Sequence, residues 1–109
     1  MKLPVHHKVE VDGALWDFDR HVLDARRIKD RIVVVFDYMS FPRGEQAKNL
    51  QAFSLKRELL WTAEHPSKER TDTYVGITSE EPLVVSNFAS LQCEIDVESG
   101  KLKRSVFTK

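Results

Sequence analysis

One strand-like phrase occurs twice in this chain, and that recurrence limits what it can fold into. The first copy, Asn49-Leu50-Gln51-Ala52-Phe53-Ser54, runs through a polar turn into Glu58-Leu59-Leu60-Trp61. The second, Leu91-Gln92-Cys93-Glu94-Ile95-Asp96, runs through Glu98-Ser99-Gly100 into Lys101-Leu102. Setting Phe53 against Ile95 aligns Ser54 with Asp96 and Leu60 with Leu102. The upstream run Ile32-Val33-Val34-Val35-Phe36 then finds its counterpart in Leu83-Val84-Val85-Ser86-Asn87-Phe88. The interval is about 40 to 50 residues, at which propeller-like blades recur. Two copies are too few to close a ring. The repeat therefore predicts a single all-β domain over residues 1–109, an antiparallel meander of two blade-like sheets at about 14–61 and 60–109.

Local signals fill in the rest of that meander. Lys8-Val9-Glu10-Val11 alternates and stops at Asp12-Gly13, a dipeptide suited to a tight hairpin, before a second strand starts at Ala14-Leu15-Trp16. Residues 18–31 fit a helical face or a hairpin, and strands are the preferred reading. The continuous β-branched run at 32–36 is too short for a typical helix and predicts a strand buried on both faces or nearly so. Pro42 and Gly44 mark a long loop over 39–48, and 64–72 forms a second before a strand at 73–77. Glu80-Glu81-Pro82 turns the chain into the next strand. In the last hairpin Gly100 is expected at positive φ, where it carries no Cβ penalty. Glu58 holds the aligned position in the first hairpin, so that turn needs a different geometry. The expected core comprises Val33, Val35, Phe53, Leu60, Leu83, Val85, Cys93 and Ile95.

Composition narrows the function classes. With 41% apolar and 31% charged residues, the 109-residue chain has the composition of a globular domain. Lys plus Arg and Asp plus Glu number 17 each, which gives no overall field to attract nucleic acid or an anionic membrane. Asp12, Asp17, Asp19, Asp24, Asp30 and Asp37 cluster in the first third, and solvated strand faces are their simplest reading. No segment approaches the ~20 apolar residues of a membrane span, and the first residues carry no apolar export core. Together with a lone cysteine, this predicts a cytoplasmic protein. Alternation puts Cys93 on the apolar face of its strand, as a small core residue rather than a reactive thiol.

No catalytic or cofactor-binding motif stands out, and no enzyme activity, cofactor or metal is expected. His6, His7, His21 and His65 are too scattered for a zinc site, which needs about four clustered ligands. No Gly-x-Ser-x-Gly elbow or glycine-rich phosphate loop is present among four glycines. Trp16 and Trp61 both follow leucine and are read as core residues.

The order of Val33-Val34-Val35, Pro42, Gly44, Asn49-Leu50-Gln51-Ala52-Phe53, Leu59-Leu60-Trp61, Tyr74, Leu83, Asn87-Phe88, Ile95-Asp96 and Gly100-Lys101 resembles a family of small bacterial cytosolic proteins. Members of that family look like a fragment of a β-propeller, and some sit beside toxin genes as immunity proteins. The sequence departs from the family pattern at Ser54, where aspartate is usual, and in lacking a glycine in the first hairpin. The resemblance implies a protein that binds a cognate toxin domain and occludes it without performing chemistry. The alternative is a non-enzymatic scaffold or ligand-binding domain. Loops on a rigid sheet carry binding residues disproportionately. The expected contacts are therefore Tyr38, Phe41, Arg43 and Glu45 in the first long loop, and Glu64, His65, Lys68 and Glu69 in the second. Nucleic acid and membrane are not expected partners, and the chain is expected as a monomer or as a homodimer through exposed sheet edges.

Overall fold

A computed structural model describes residues 7–69 and 72–107. It contains ten strands among these residues and one short 3-10 turn at Tyr38–Ser40. Strands β1 (Lys8–Val11) and β2 (Ala14–Asp17) form a separate hairpin. Strands β3 (Val22–Ile28), β4 (Arg31–Phe36), β5 (Leu50–Ser54) and β6 (Leu59–Thr62) form the first four-stranded sheet, paired in sequence order. Strands β7 (Tyr74–Glu80), β8 (Leu83–Asn87), β9 (Leu91–Ile95) and β10 (Leu102–Phe107) form the second in the same way. All neighbouring strands are antiparallel. The all-β meander of two blade-like sheets is thus the observed architecture, and residues 22–28 form a strand rather than a helix.

The inner faces of the two sheets bury Val33, Val35, Leu50, Ala52 and Trp61 against Tyr74, Ile77, Leu83, Val85, Cys93 and Ile95. A second core lies on the opposite face of the first sheet. There the β1–β2 hairpin lays Val9, Val11 and Trp16 over Val22, Ala25, Ile32, Val34 and Phe36. This second layer explains the unbroken apolar run 32–36, because every residue in it faces one core or the other. Both tryptophans are core residues, as expected.

Two members of the expected core need correction. Phe53 is half-buried and packs with Phe18 and Phe36 in the outer core, away from the space between the sheets. Leu60 is 43% exposed, and its neighbour Trp61 faces inward instead. The cause is register. The residue facing the inner core is Ala52 in β5 but Ile95 in β9, so aligning Phe53 with Ile95 is one position out of phase. A slip of one residue moves every side chain of a strand to the other face. An irregularity between Ala52 and Phe53 lets Leu59 pair with Phe53 while Trp61 pairs with Ala52, which leaves Leu60 outside the ladder.

The turns follow local chemistry. Asp12 and Gly13 both adopt positive φ, at 50° and 81°, as a tight right-twisted hairpin requires. Ser54 and Asp96 begin their hairpins alike: Ser54 Oγ accepts from Lys56 N and Glu58 N, and Asp96 Oδ1 accepts from Glu98 N. The loops then differ by one residue. Ser54 N donates to Glu58 O with Arg57 at φ 69°, whereas Asp96 N donates to Lys101 O with Gly100 at φ 77°. Arg57 thus supplies the left-handed position for which the first hairpin has no glycine. Gly100 is required for a further reason: a Cβ there would lie 2.6 Å from the Trp61 ring.

Candidate protein-binding surface

Polar stitches along the seam between the sheets decide which loop residues are free to meet a partner. Asn49 is fully buried; its Nδ2 donates to Phe36 O (2.8 Å) and Tyr74 O (2.7 Å), and its Oδ1 accepts from Tyr74 N (3.1 Å). One side-chain amide therefore satisfies backbone groups from both sheets, which would otherwise be buried unpaired. At one edge Asp24 Oδ2 accepts from Ile77 N (3.0 Å), joining β3 to β7. At the opposite edge Glu64 Oε1 accepts from Leu102 N (2.8 Å), and Trp61 Nε1 donates to Val97 O (2.9 Å).

These bonds sort the expected contact residues. Glu64 is exposed, but its carboxylate holds the start of β10 and its carbonyl accepts from the Tyr74 hydroxyl. His65 is half-buried, with its ring 4.8 Å from that of Tyr74. Both belong to the seam rather than to an open surface. Burial holds the His65 pKa below its usual value, opposed in part by the nearby Asp72 carboxylate. Lys68 and Glu69 are exposed on the remainder of that loop. Ser67 braces it, donating through N and Oγ to Asp72 Oδ2, while Asp72 also bonds Asn87.

The first loop is presented by a cap. Asp37 Oδ1 accepts from Met39 N (2.9 Å) and Phe41 N donates to Tyr38 O (3.1 Å), closing the 3-10 turn. Phe41 turns inward against the outer core, with the Arg20 guanidinium 4.3 Å above its ring, and so anchors the loop. Arg43 and Glu45 are exposed on either side of Gly44. Gln46 Nε2 donates to Ser67 O (2.8 Å) and Glu69 O (2.9 Å), so the two long loops are held side by side. A groove of about 280 Å³ opens between Tyr38, Phe41, Arg43 and Thr73.

Sequence reasoning missed two residues here. Met39 is 71% exposed beside Tyr38, and Phe88 is 63% exposed with its ring 6.3 Å from that of Tyr38. Phe88 is fixed by a turn in which its N donates to Thr73 O while Asn87 Oδ1 accepts from Leu91 N. A signal for it existed. Leu83, Val85 and Asn87 alternate inward, which places Phe88 outward. Tyr38, Met39 and Phe88 form an apolar, aromatic surface flanked by the charges of Arg43 and Glu45.

The buried polar groups nearby offer little to a substrate. Cys93 is fully buried and its thiol is pushed up to about 11, by burial first and by Asp72 second. Burial likewise raises the Tyr74 hydroxyl, so both stay protonated at neutral pH. Among the described residues no group of three or more His, Cys, Asp or Glu gathers to hold a metal ion. The aspartates of the first third are dispersed: Asp12 pairs with Arg27, Asp17 with His7 and Asp24 with Arg26. No helix among the described residues is long and apolar enough to cross a membrane.

No curated protein and no solved structure matches the chain. A family model described as a domain of unknown function, DUF7957, matches residues 5–107. That match runs from the first hairpin through both four-stranded sheets, so the covering hairpin belongs to the same unit as the repeat, and the chain is a member of the DUF7957 family.

Proposed function

We propose that this domain works by stoichiometric protein binding, and that its task is to neutralise a cognate bacterial toxin domain in the cytoplasm by occluding it. The observation that carries the binding reading is the exposure of Tyr38, Met39 and Phe88 together on a braced surface. Aromatic residues and Met are enriched in interface cores, and a few such anchors dominate binding energy. Rigid presentation strengthens the reading, because a loop already clipped to its neighbour by Gln46 loses little freedom on docking. Arg43, Glu45, Lys68 and Glu69 supply a charged rim of both signs. The rim suits selection among related partners, since mismatched charges penalise the wrong one. The toxin rests on the family resemblance in the residue pattern, and is supported by two long loops carried on a scaffold of two blade-like sheets.

The test is co-expression with the toxin encoded next to the gene, followed by calorimetry on the purified pair. Protection of growth with one-to-one binding is expected. Tyr38→Ala, Met39→Ala and Phe88→Ala combined should weaken binding by more than about 2 kcal/mol while leaving the urea midpoint unchanged. Full protection by the triple variant would remove this surface from the contact. Absence of binding to the neighbouring gene product would reject the toxin reading.

A further inference from the structure

The four outer strands of the two sheets are not equally guarded. An edge strand presents unpaired backbone groups, which proteins blunt with bulges, charges or cover. Strands β3 and β7 lie against each other, stitched by Asp24 to Ile77 N. Strand β6 is interrupted midway, at Leu60, and the chain beyond it is bonded through Glu64 N to Gly100 O. Strand β10 differs. Its irregularity lies at the start, between Leu102 and Arg104, where Glu64 already takes Leu102 N. The stretch from Arg104 to Phe107 continues in regular register against β9, with no strand on its other side among the described residues. Along it Val106 is 50% exposed and Phe107 64%.

We propose that β10 is the seat of a two-fold homodimer, in which a second copy lays its own β10 antiparallel alongside and joins two second sheets into one. Symmetry and charge restrict the register. A two-fold axis normal to the sheet keeps each face on its own side, so residues directly opposite must share a face, and their numbers must sum to an even value. Centring the axis on Arg104 sets arginine against arginine, a destabilising like-charge pair. Centring it on Ser105 sets that small residue against itself and Arg104 against Val106 of the second copy. Arg104 and Val106 both lie on the outer face, opposite Glu94 and Gln92 of their own sheet. The aliphatic stem of Arg104 can then cover Val106 while its guanidinium stays with Glu94, 3.1 Å away. Among the described residues of β10 no like charges face each other across this seam. A single strand pair buries less than the ~1,000 Å² that lasting interfaces clear, so the dimer forms with rising concentration rather than obligately. None of its residues belongs to the proposed toxin-binding surface.

Sedimentation equilibrium over a concentration series up to the millimolar range tests this. The wild-type chain should rise from one chain mass towards two. Val106→Arg places arginine opposite Arg104 and should hold the chain monomeric throughout. Val106→Glu removes the same apolar side chain but places a carboxylate opposite Arg104, so it should still dimerise, more weakly as salt is added. Unchanged urea midpoints would confirm that both variants fold. A wild-type chain that stays monomeric overturns the proposal, and so does Val106→Glu disrupting as completely as Val106→Arg. Loss of the dimer in Leu59→Arg, on β6, would move the contact to another edge and equally overturn it.

Discussion

The two four-stranded sheets share one succession of hairpins but differ in what covers them. The first is apolar on both faces, since Ile32, Val34 and Phe36 point outward as consistently as Val33 and Val35 point inward. The second keeps a polar outer face, where Thr78 Oγ1 donates to Gln92 Oε1 and Arg104 and Lys103 pair with Glu94. The difference is the β1–β2 hairpin, which adds a third layer to one blade only. The two repeat units are thus asymmetric: the bare sheet has an alternating central strand at β8, and the covered sheet a continuous apolar one at β4. Antiparallel sheets solvated on one face show the first pattern, and sheets buried on both show the second.

Three experiments press on this contrast. The largest effect is expected from uncovering the first sheet. Trp16→Ala removes a side chain that is 4% exposed in the outer core, and should cost about 3–5 kcal/mol by the precedent of aromatic truncations. Gln92→Ala, on the outer face of the second sheet, should stay within about 0.5 kcal/mol. Comparable urea midpoints for the two would break the distinction between a covered and a bare face.

Next in size is the join between the sheets. Gly100→Val must enter a left-handed conformation at φ 77° and push its Cβ into the Trp61 ring, for a combined cost of about 2–4 kcal/mol. Glu58→Val lies outside the left-handed positions and should change stability much less. Equal shifts in chemical denaturation would show that the two hairpins are energetically equivalent after all.

The smallest effect is expected with pH. His65 has its pKa lowered in the folded protein, chiefly by burial, so on acidification the unfolded chain takes up this proton first. Its contribution is present in full above the unfolded value of 6.5 and is lost as pH falls below 6.5 through the lower folded pKa. Stability measured by urea denaturation should decline over that window, and His65→Gln should flatten the decline. An unchanged pH slope in the variant would place the titrating group elsewhere.

Much of the fold is legible locally. Asp12-Gly13, the Ser54 and Asp96 hairpin starts and Gly100 each announce a turn through side-chain or backbone chemistry within a few residues, and the strands between them follow from composition and length. The candidate surface is only partly legible. Tyr38, Arg43, Glu45, Lys68 and Glu69 are exposed, but Phe41 is an anchor, and Glu64 and His65 are bound into the seam. A loop sequence does not reveal which of its polar groups will be claimed by a strand dozens of residues away. Met39 adjoins Tyr38 in the same turn, but Phe88 lies far from both in sequence and becomes a neighbour of Tyr38 only when the two sheets pack.

What the sequence determined by itself was the succession of strands and turns, because turn geometry and alternation act over a few residues. Only the tertiary structure decided the phase of the repeat. Phe53 and Ile95 occupy matching places in matching phrases, yet one faces the outer core and the other the inner. The facing of a strand is set by the apolar surface it meets on each side, and for the first sheet one of those surfaces comes from the hairpin at 8–17. Burial of that non-local surface carries the free energy that selects one register over another, and no local periodicity contains it.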